Sequence, residues 1–423
     1  MAVAGGALAA EGAAALPRMF SRVPAMGGAE IRVALVGCGG RSRGAAADAL
    51  STAGPVKLVA MADAFRDQLD SALEVVTKQV GDRVDVPEER RFVGFDAYQK
   101  AIASDVDLVI LATPPGFRPV HFEHAVAQGK HVFMEKPVAV DGPGIRTVLA
   151  AAAEAKAQDL KVGVGLQRHH SAKYIETIRR IQDGAIGDLV LLRAYWNGAG
   201  VWVRPRKPAM TEMEYQMRNW YYFNWLCGDH ITEQHIHNLD VANWVANGYP
   251  VSAQGQGGRQ VRTGIDNGEI YDHHMVEYTY ENGTTLLSQC RHMPNTWSSV
   301  SEHAHGTAGS ANIGAGRIEP ARGEAWRFRD EDPNAYQVEH DDLFRAIREG
   351  APYNEAEYGA KSTLTSILGR MATYSGKVVK WHEALNSDLA LVPEAYAWDA
   401  NPPTVPDDNG RYPIPTPGVT RAV

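Results

Sequence analysis

The sequence has 423 residues, of which 44% are hydrophobic and 22% charged, enough chain for two to three domains that each bury a core. That composition excludes wholesale disorder and collagen-like structure. Lys plus Arg number 42 against 50 Asp plus Glu, a net charge of −8, and no long block of like charge occurs, so nucleic acid is not an expected partner.

Residues 1–30 stand apart. Ala2 to Ala15 is almost entirely Ala and Gly, ends in small residues and is followed by Leu16-Pro17-Arg18. This reads either as the remnant of an export leader or as a flexible arm, and the first reading would place the protein in the periplasm or outside the cell, the second in the cytoplasm. No apolar stretch is long enough for a membrane span. Cys38, Cys227 and Cys290 have no metal-type spacing, and an odd count argues against a disulfide framework.

From Ile31 to Gln167 short β-branched runs (Ile31–Val36, Val56–Ala62, Leu108–Ala112, His131–Met134, Val162–Leu166) alternate with segments of helical period (67–80, 118–128, 144–158). Such alternation predicts a parallel, doubly wound sheet over 31–167. Beyond Arg168 the texture changes. A helix at 174–182, an aromatic-rich stretch from Tyr195 to Trp225 and a helix at 231–246 precede alternating runs at 273–280, 284–291 and 300–305. Asn282-Gly283 between the first two of these runs marks a hairpin, so a mostly antiparallel α+β domain is expected over 168–395. A helix at 356–375 and a Pro-rich tail, 396–423, complete the chain.

Directly after the first strand comes Gly37-Cys38-Gly39-Gly40-Arg41-Ser42-Arg43-Gly44, then an Ala-rich helix. Glycines there let the backbone approach a pyrophosphate, whose charge the helix N-terminus stabilises. Asp63 closes the second strand, where a carboxylate accepts hydrogen bonds from a ribose diol and repels a 2′-phosphate, which favours NAD over NADP. Arg41, Arg43 and Arg66 are near enough in sequence to weaken that preference.

Thr113-Pro114-Pro115 and the run Gly129-Lys130-His131-Val132-Phe133-Met134-Glu135-Lys136-Pro137 resemble the glucose–fructose oxidoreductase, inositol dehydrogenase and MocA-like (Gfo/Idh/MocA) family of sugar oxidoreductases. The resemblance extends from Ile31 through the Lys377 to Trp381 region. It implies that Lys136 sits beside the nicotinamide and the reacting hydroxyl, that Pro137 is cis, and that Gly37, Gly39, Gly40, Arg41, Ser42, Asp63, Thr113, Pro114, Glu135, Lys136 and Gln167 surround the cofactor. A second signature, Gly228-Asp229-His230-Ile231-Thr232-Glu233-Gln234-His235-Ile236-His237-Asn238-Leu239-Asp240, supplies His237 as base and puts Glu233 where the family has Asp, in the position expected to orient the imidazole. On a continuous helix Glu233 would lie about 40° and His230 about 20° from His237, so the three would share one face. His235 points away and no His-Glu-x-x-His pairing forms, so no metal site is expected.

Arg218, Asn219 and Trp220, with Tyr221, Tyr222 and Trp225, form a polar and aromatic cluster suited to a saccharide. Arg168 and His230 join them as expected substrate contacts. The resulting expectation is an NAD-dependent oxidoreductase acting by hydride transfer at a carbinol carbon of a sugar or sugar derivative. The alternative on the same fold is glycoside hydrolysis through transient oxidation with a retained NAD, and a third reading is a non-catalytic NAD-binding sensor. The resemblance also implies a homo-oligomer, dimer or tetramer, through the outer face of the antiparallel sheet.

Overall fold

The computed structural model describes residues 25–421 and 423. The Ala-rich segment expected as leader remnant or arm lies outside the described residues up to position 24. The chain that follows is tied down, with the backbone N–H groups of Met26 and Gly27 donating to the carbonyls of Ile347 and Arg348 at 3.3 and 3.0 Å.

The first part of the chain runs β1 (Ile31–Val36), α1 (Gly40–Leu50), β2 (Val56–Asp63), α2 (Arg66–Val80), β3 (Arg91–Val93), α3 (Ala97–Ala103), β4 (Leu108–Leu111), α4 (Arg118–Ala127), β5 (His131–Met134), α5 (Gly142–Ala157) and β6 (Val162–Val164). These six strands form one parallel sheet in the order β3-β2-β1-β4-β5-β6. The second part runs α6 (Ala172–Gln182), β7 (Leu189–Gly198), α7 (Glu212–Arg218), α8 (Asn224–Cys227), α9 (His230–Glu233), α10 (Ile236–Ala246), β8 (Pro250–Gly258), β9 (His273–Tyr280), β10 (Thr285–His292), β11 (Ser299–Gly306), β12 (Gly309–Asn312), β13 (Arg317–Pro320), β14 (Trp326–Arg327), α11 (Ala335–Glu349), α12 (Ala356–Ser375), β15 (Val379–Lys380) and α13 (Trp381–Asn386). Its nine strands are ordered β14-β13-β12-β11-β7-β10-β9-β8-β15, antiparallel except for the β7–β10 pair.

Strand alternation assigns the faces of the first sheet. Ile31, Val33 and Leu35 of β1 meet Ala45 and Ala49 of α1, Leu69 of α2 and Leu343 and Phe344 of α11, while Ala34 and Val36 meet the layer of α3, α4 and α5. Helices on both faces make this a doubly wound fold, and its strand order reverses between β1 and β4, where such sheets hold ligands beyond their carboxyl ends. On the second sheet Val276, Tyr278 and Leu286 point inward against Leu364, Ile367 and Met371 of α12. The opposite face turns Met275 and Glu277 to solvent.

The strands expected at 31–36 and 273–280 and the helix expected at 356–375 have those bounds. Several features differ from expectation. β3 and β7 are strands where none was expected, because β3 is three residues long and β7 lies in a region whose aromatics obscured its alternation. The helix expected over 231–246 is two helices. α11 leaves the stretch expected to serve the second sheet and packs on the first. The tail also belongs to the body of the protein: Tyr412 is buried against Phe223, and the Tyr271 hydroxyl donates to the Pro415 carbonyl at 2.8 Å.

Candidate active site

A cavity of about 930 Å³ opens at the switch point and runs to the second sheet. That size is at the upper end of the roughly 300–1,000 Å³ of small-molecule sites, as expected where two ligands share one cleft. One end is built by the glycine loop. Gly37 follows β1 with φ +87°, and a Cβ there would lie 2.5 Å from the Thr113 backbone nitrogen, so only glycine fits. Gly39 precedes α1, and at both Gly39 and Gly40 a side chain would find nothing within 4 Å, which leaves their backbone open to the cavity at a helix N-terminus. Asp63 takes backbone N–H bonds from Cys38 at 2.6 Å and Phe65 at 2.8 Å, which locks the acidic end of β2 to the loop. Burial raises the Asp63 pKa against the pull of those hydrogen bonds.

The other end is built where β5 stops. Glu135 and Lys136 both line the cavity, and the Lys136–Pro137 peptide bond is cis. Lys136 Nζ donates to the Glu233 carbonyl at 2.6 Å and to Glu233 Oε1 at 3.2 Å, with both side chains largely buried. His237 lines the same wall, its ring 6.0 Å from that of Trp196 and nearly parallel to it. Its Nδ1 has no partner among the described residues. Burial, and then the charges of Lys136, Arg168 and Arg41, push the His237 pKa well below its ordinary value, so the ring is neutral and able to accept a proton. Glu233 shifts the other way, its pKa raised by burial against the pull of Lys136.

Residues 31–164 match the sequence model of an oxidoreductase family with an NAD-binding Rossmann fold, Gfo/Idh/MocA, and residues 174–312 match the model of the GFO/IDH/MocA C-terminal domain. The chain belongs to the Gfo/Idh/MocA family. An inositol 2-dehydrogenase of Rhizobium meliloti is 25% identical over 332 residues, which span 76% of this chain and 90% of that protein. Among solved structures, scyllo-inositol dehydrogenase of Lactobacillus casei with bound NAD(H) and scyllo-inositol superposes with a TM-score of 0.63 at 20% identity, covering 84% of this chain and all of that one. Aldose-aldose oxidoreductase of Caulobacter crescentus gives a TM-score of 0.64 at 19% identity, covering 83% of this chain and all of that one. The first domain of this family member is therefore an NAD-binding Rossmann domain, and the residues present suit the cofactor: a glycine loop with unobstructed backbone at a helix N-terminus, and a carboxylate at the end of β2.

Of the expected cofactor contacts, Gly37, Gly39, Gly40, Arg41, Asp63, Thr113, Pro114, Glu135 and Lys136 line the cavity. Two do not. Ser42 is buried and donates to the Gly39 carbonyl at 2.7 Å, bracing the loop from behind. Gln167 Nε2 donates to the Tyr336 hydroxyl at 3.0 Å, outside the cavity lining. Arg41 itself turns from the loop to Glu135 (Nε to Oε1, 2.6 Å) and lies over the Tyr336 ring of α11.

The expected saccharide contacts are rearranged more deeply. Trp220 lines the cavity. Asn219 does not: it is buried, and its amide is spent on the Asp266 carbonyl, the Tyr215 hydroxyl and the Arg204 backbone. Arg168 is paired with Glu302, which also takes the Asn238 amide, in a buried network behind the wall. Arg218 lines the cavity at its cofactor end, bonding Asp67 at 3.1 Å and stacking 4.0 Å over Phe65. His230 is fully buried on Asp229, because the continuous helix expected here breaks at Gln234 and His235. There the His235 N–H reaches back to the His230 carbonyl, and its ring bonds Ser288 at 2.7 Å. Glu233 and His237 thus share a wall through a turn and not through one helical stripe. Glu233 holds Lys136 and makes no hydrogen bond to His237, contrary to the expectation that it orients the imidazole.

Asp229, His230 and His274 are the one group of three metal-ligand side chains within mutual reach among the described residues. Both Asp229 oxygens are already taken by hydrogen bonds from His230, Tyr271 and Tyr374. The trio is a structural network beneath α9. Residues that sequence reasoning did not single out, Gln234, Trp196, Trp202, Arg118 and Tyr336, also line the cavity.

Proposed function

We propose that this protein is an NAD-dependent dehydrogenase that oxidises a CH–OH carbon of a sugar or cyclitol. The observation that carries the reading is that Lys136, Glu233 and His237 meet on one wall of the cavity whose far end is the Gly37–Gly40 loop and Asp63. The neutral His237 accepts the hydroxyl proton as general base. Lys136 donates to the reacting oxygen and stabilises the charge that develops there, and Glu233 holds the ammonium in place. Bound nicotinamide supplies the hydride acceptor. The same groups run the reduction in reverse. The relatives described above are named as dehydrogenases and oxidoreductases, which lends the hydrolytic alternative no support.

Charge pairing favours NAD. Arg66 is occupied by Asp70 and Glu88, Arg41 by Glu135 and Arg218 by Asp67 and Glu214, so these three are not free to neutralise a 2′-phosphate beside Asp63; Arg43, the third arginine near in sequence, has no acidic partner among the described residues and bonds only Ser71, at 3.2 Å, but is not part of the cavity lining. Purified protein offered myo-inositol, scyllo-inositol and simple aldoses is expected to generate NADH, with kcat/KM at least about tenfold higher for NAD than for NADP, a margin of about 1.4 kcal/mol. Asp63→Ala narrows that gap. Equal use of NADP, or a chromogenic glycoside cleaved with no reduced cofactor formed, counts against the reading.

The pH dependence follows from His237. Protonation removes the base, so activity falls on the acid side. Because its pKa lies well below the ordinary value of about 6.5, kcat/KM stays level down through pH 6.5 and declines only below it. An acid limb centred at pH 7 or above would assign the base to another group.

A further inference from the structure

Gln234 stands in the break between α9 and α10, beside Glu233, and lines the cavity. Its side-chain oxygen faces His292 Nε2 at 2.8 Å. His292 ends β10 and is buried, and its other ring nitrogen, Nδ1, faces the Arg262 guanidinium. A guanidinium only donates, so Nδ1 accepts, the ring proton sits on Nε2, and Gln234 must present its oxygen to it. Arg262 is itself fixed, with Nη1 on the Tyr271 carbonyl at 2.7 Å and its backbone N–H on Asp272 at 3.0 Å. The chain Arg262–His292–Gln234 therefore dictates which way the amide points, and the bond to His292 is the only side-chain hydrogen bond that Gln234 makes among the described residues, which leaves its NH2 for a ligand. Tyr221 lies along the same chain, its ring 6.0 Å from that of His292 at 25°. It lines the cavity with a buried hydroxyl that also lacks a partner.

Two neutral hydrogen-bonding groups without partners thus stand next to Glu233, whose charge and that of Lys136 offset each other, with the apolar rings of Trp196 and Trp220 on the same lining. That stretch of the lining matches a ligand rich in hydroxyls and free of charge; the cations of the same cavity that make no side-chain hydrogen bond among the described residues, Arg204 and Lys207, are exposed side chains of the segment between β7 and α7. Resting on the dehydrogenase reading, we propose that Gln234 is a specificity-determining residue. Its amide donates to a ring hydroxyl near the carbon being oxidised, the Tyr221 hydroxyl engages a second one, and Arg262 with His292 acts as a positioning pair that fixes the amide. The substrate class is a neutral polyhydroxylated ring.

The test uses the full chain with whichever of myo-inositol, scyllo-inositol and D-glucose it oxidises fastest, that compound's monodeoxy analogues, and D-glucuronate. Gln234→Leu is expected to lower kcat/KM by about 10- to 100-fold while the affinity for NADH, read by fluorescence titration, stays within about twofold. At least one monodeoxy analogue should be a poor substrate for the parent, and the leucine variant should no longer discriminate against it; a purely structural role for Gln234 would not produce that coupling. Gln234→Glu keeps an acceptor for His292 and so guards against simple misfolding: its melting temperature should match the parent while kcat/KM still falls at least about tenfold, because the donor is gone. Tyr221→Phe should behave as a weaker version of the leucine variant. A leucine variant within about twofold of the parent on every compound overturns the role of Gln234 alone, as does unchanged discrimination among the deoxy analogues. Preference for glucuronate overturns the neutral substrate class. Failure of the parent to oxidise any of these compounds while NADH still binds overturns the dehydrogenase reading, and the Gln234 role with it.

Discussion

Lys136→Met is expected to retain NAD binding and to lose turnover by roughly 10²- to 10⁴-fold, the range for general acid–base catalysis combined with electrostatic stabilisation of a developing charge. Methionine matches the length of lysine but removes its charge and its donors. The pyrophosphate end of the cavity does not depend on this side chain, since the loop there offers backbone groups at Gly39 and Gly40 and Lys136 Nζ is committed to Glu233. The fold tolerates the change because Glu233, left without its cation, is a buried carboxyl whose pKa is already raised by burial and rises further, so it takes up a proton and avoids a bare buried charge. His237→Ala should fall by a similar factor. The double variant should lose far less than the product of the two, because base and polarising group act on one oxygen as a unit. Steady-state kinetics beside NADH titration decide it: a Lys136→Met rate within about threefold of the parent removes Lys136 from the chemistry.

The sequence was most legible where structure is local. β1 is a short apolar run that ends at the Gly37 turn, β9 is a regular alternation, and α12 is a long run without proline that stops at Gly376, so their bounds could be read directly. What escaped depended on partners far along the chain. β7 is a strand because it pairs in parallel with β10 and antiparallel with β11, roughly a hundred residues on, while its own residues read as an aromatic patch. α11 has an ordinary amphipathic pattern, and nothing local says that its apolar face meets Leu35 of the first sheet and not the second sheet. The same limit governs the site. Lys136 and His237 sit in motifs whose chemistry demands a cavity. Asn219, Arg168 and His230 are the same residue types in the same neighbourhood, yet each is consumed by a partner, Asp266, Glu302 or Asp229, that only the fold supplies. Gln234 shows the converse. A glutamine between Glu233 and His235 has no role of its own in the signature, and its orientation becomes meaningful only once Arg262 and His292 are brought beneath it.

Removing the carboxylate beneath α9 should cost more stability than ordinary core substitutions do. Asp229 is fully buried, and its Oδ1 accepts from His230 Nδ1 at 2.7 Å while Oδ2 accepts from the Tyr271 N–H at 2.9 Å and the Tyr374 hydroxyl at 2.5 Å, with His274 Nε2 at 3.2 Å. Burial by itself would raise the Asp229 pKa, but the facing His274 and His230 hold it well below the usual carboxylate range, so the anion is the form the fold requires. Asp229→Ala leaves those donors unpaired in a dry interior, and about 3–5 kcal/mol of unfolding free energy is the expected loss, measured by denaturant titration at pH 7. Backbone adds to this, since Asp229 has φ +69°, a conformation costly for alanine and open to glycine. Asp229→Gly should therefore be the milder of the two, by about 1 kcal/mol, and the difference isolates the backbone share from the carboxylate share. Acid should act in the same direction: burial lowers His230 to about 4 despite its anionic neighbour, so the unfolded chain takes its proton first and that part of the stability drains away as pH falls from about 6.5 toward 4. A loss below about 1 kcal/mol for Asp229→Ala would mean that water or a shifted Tyr374 satisfies the network. A full loss would tie the stability of this layer to catalysis, because Asp229 is the N-terminal cap of the turn that carries Glu233 and, one residue on, Gln234.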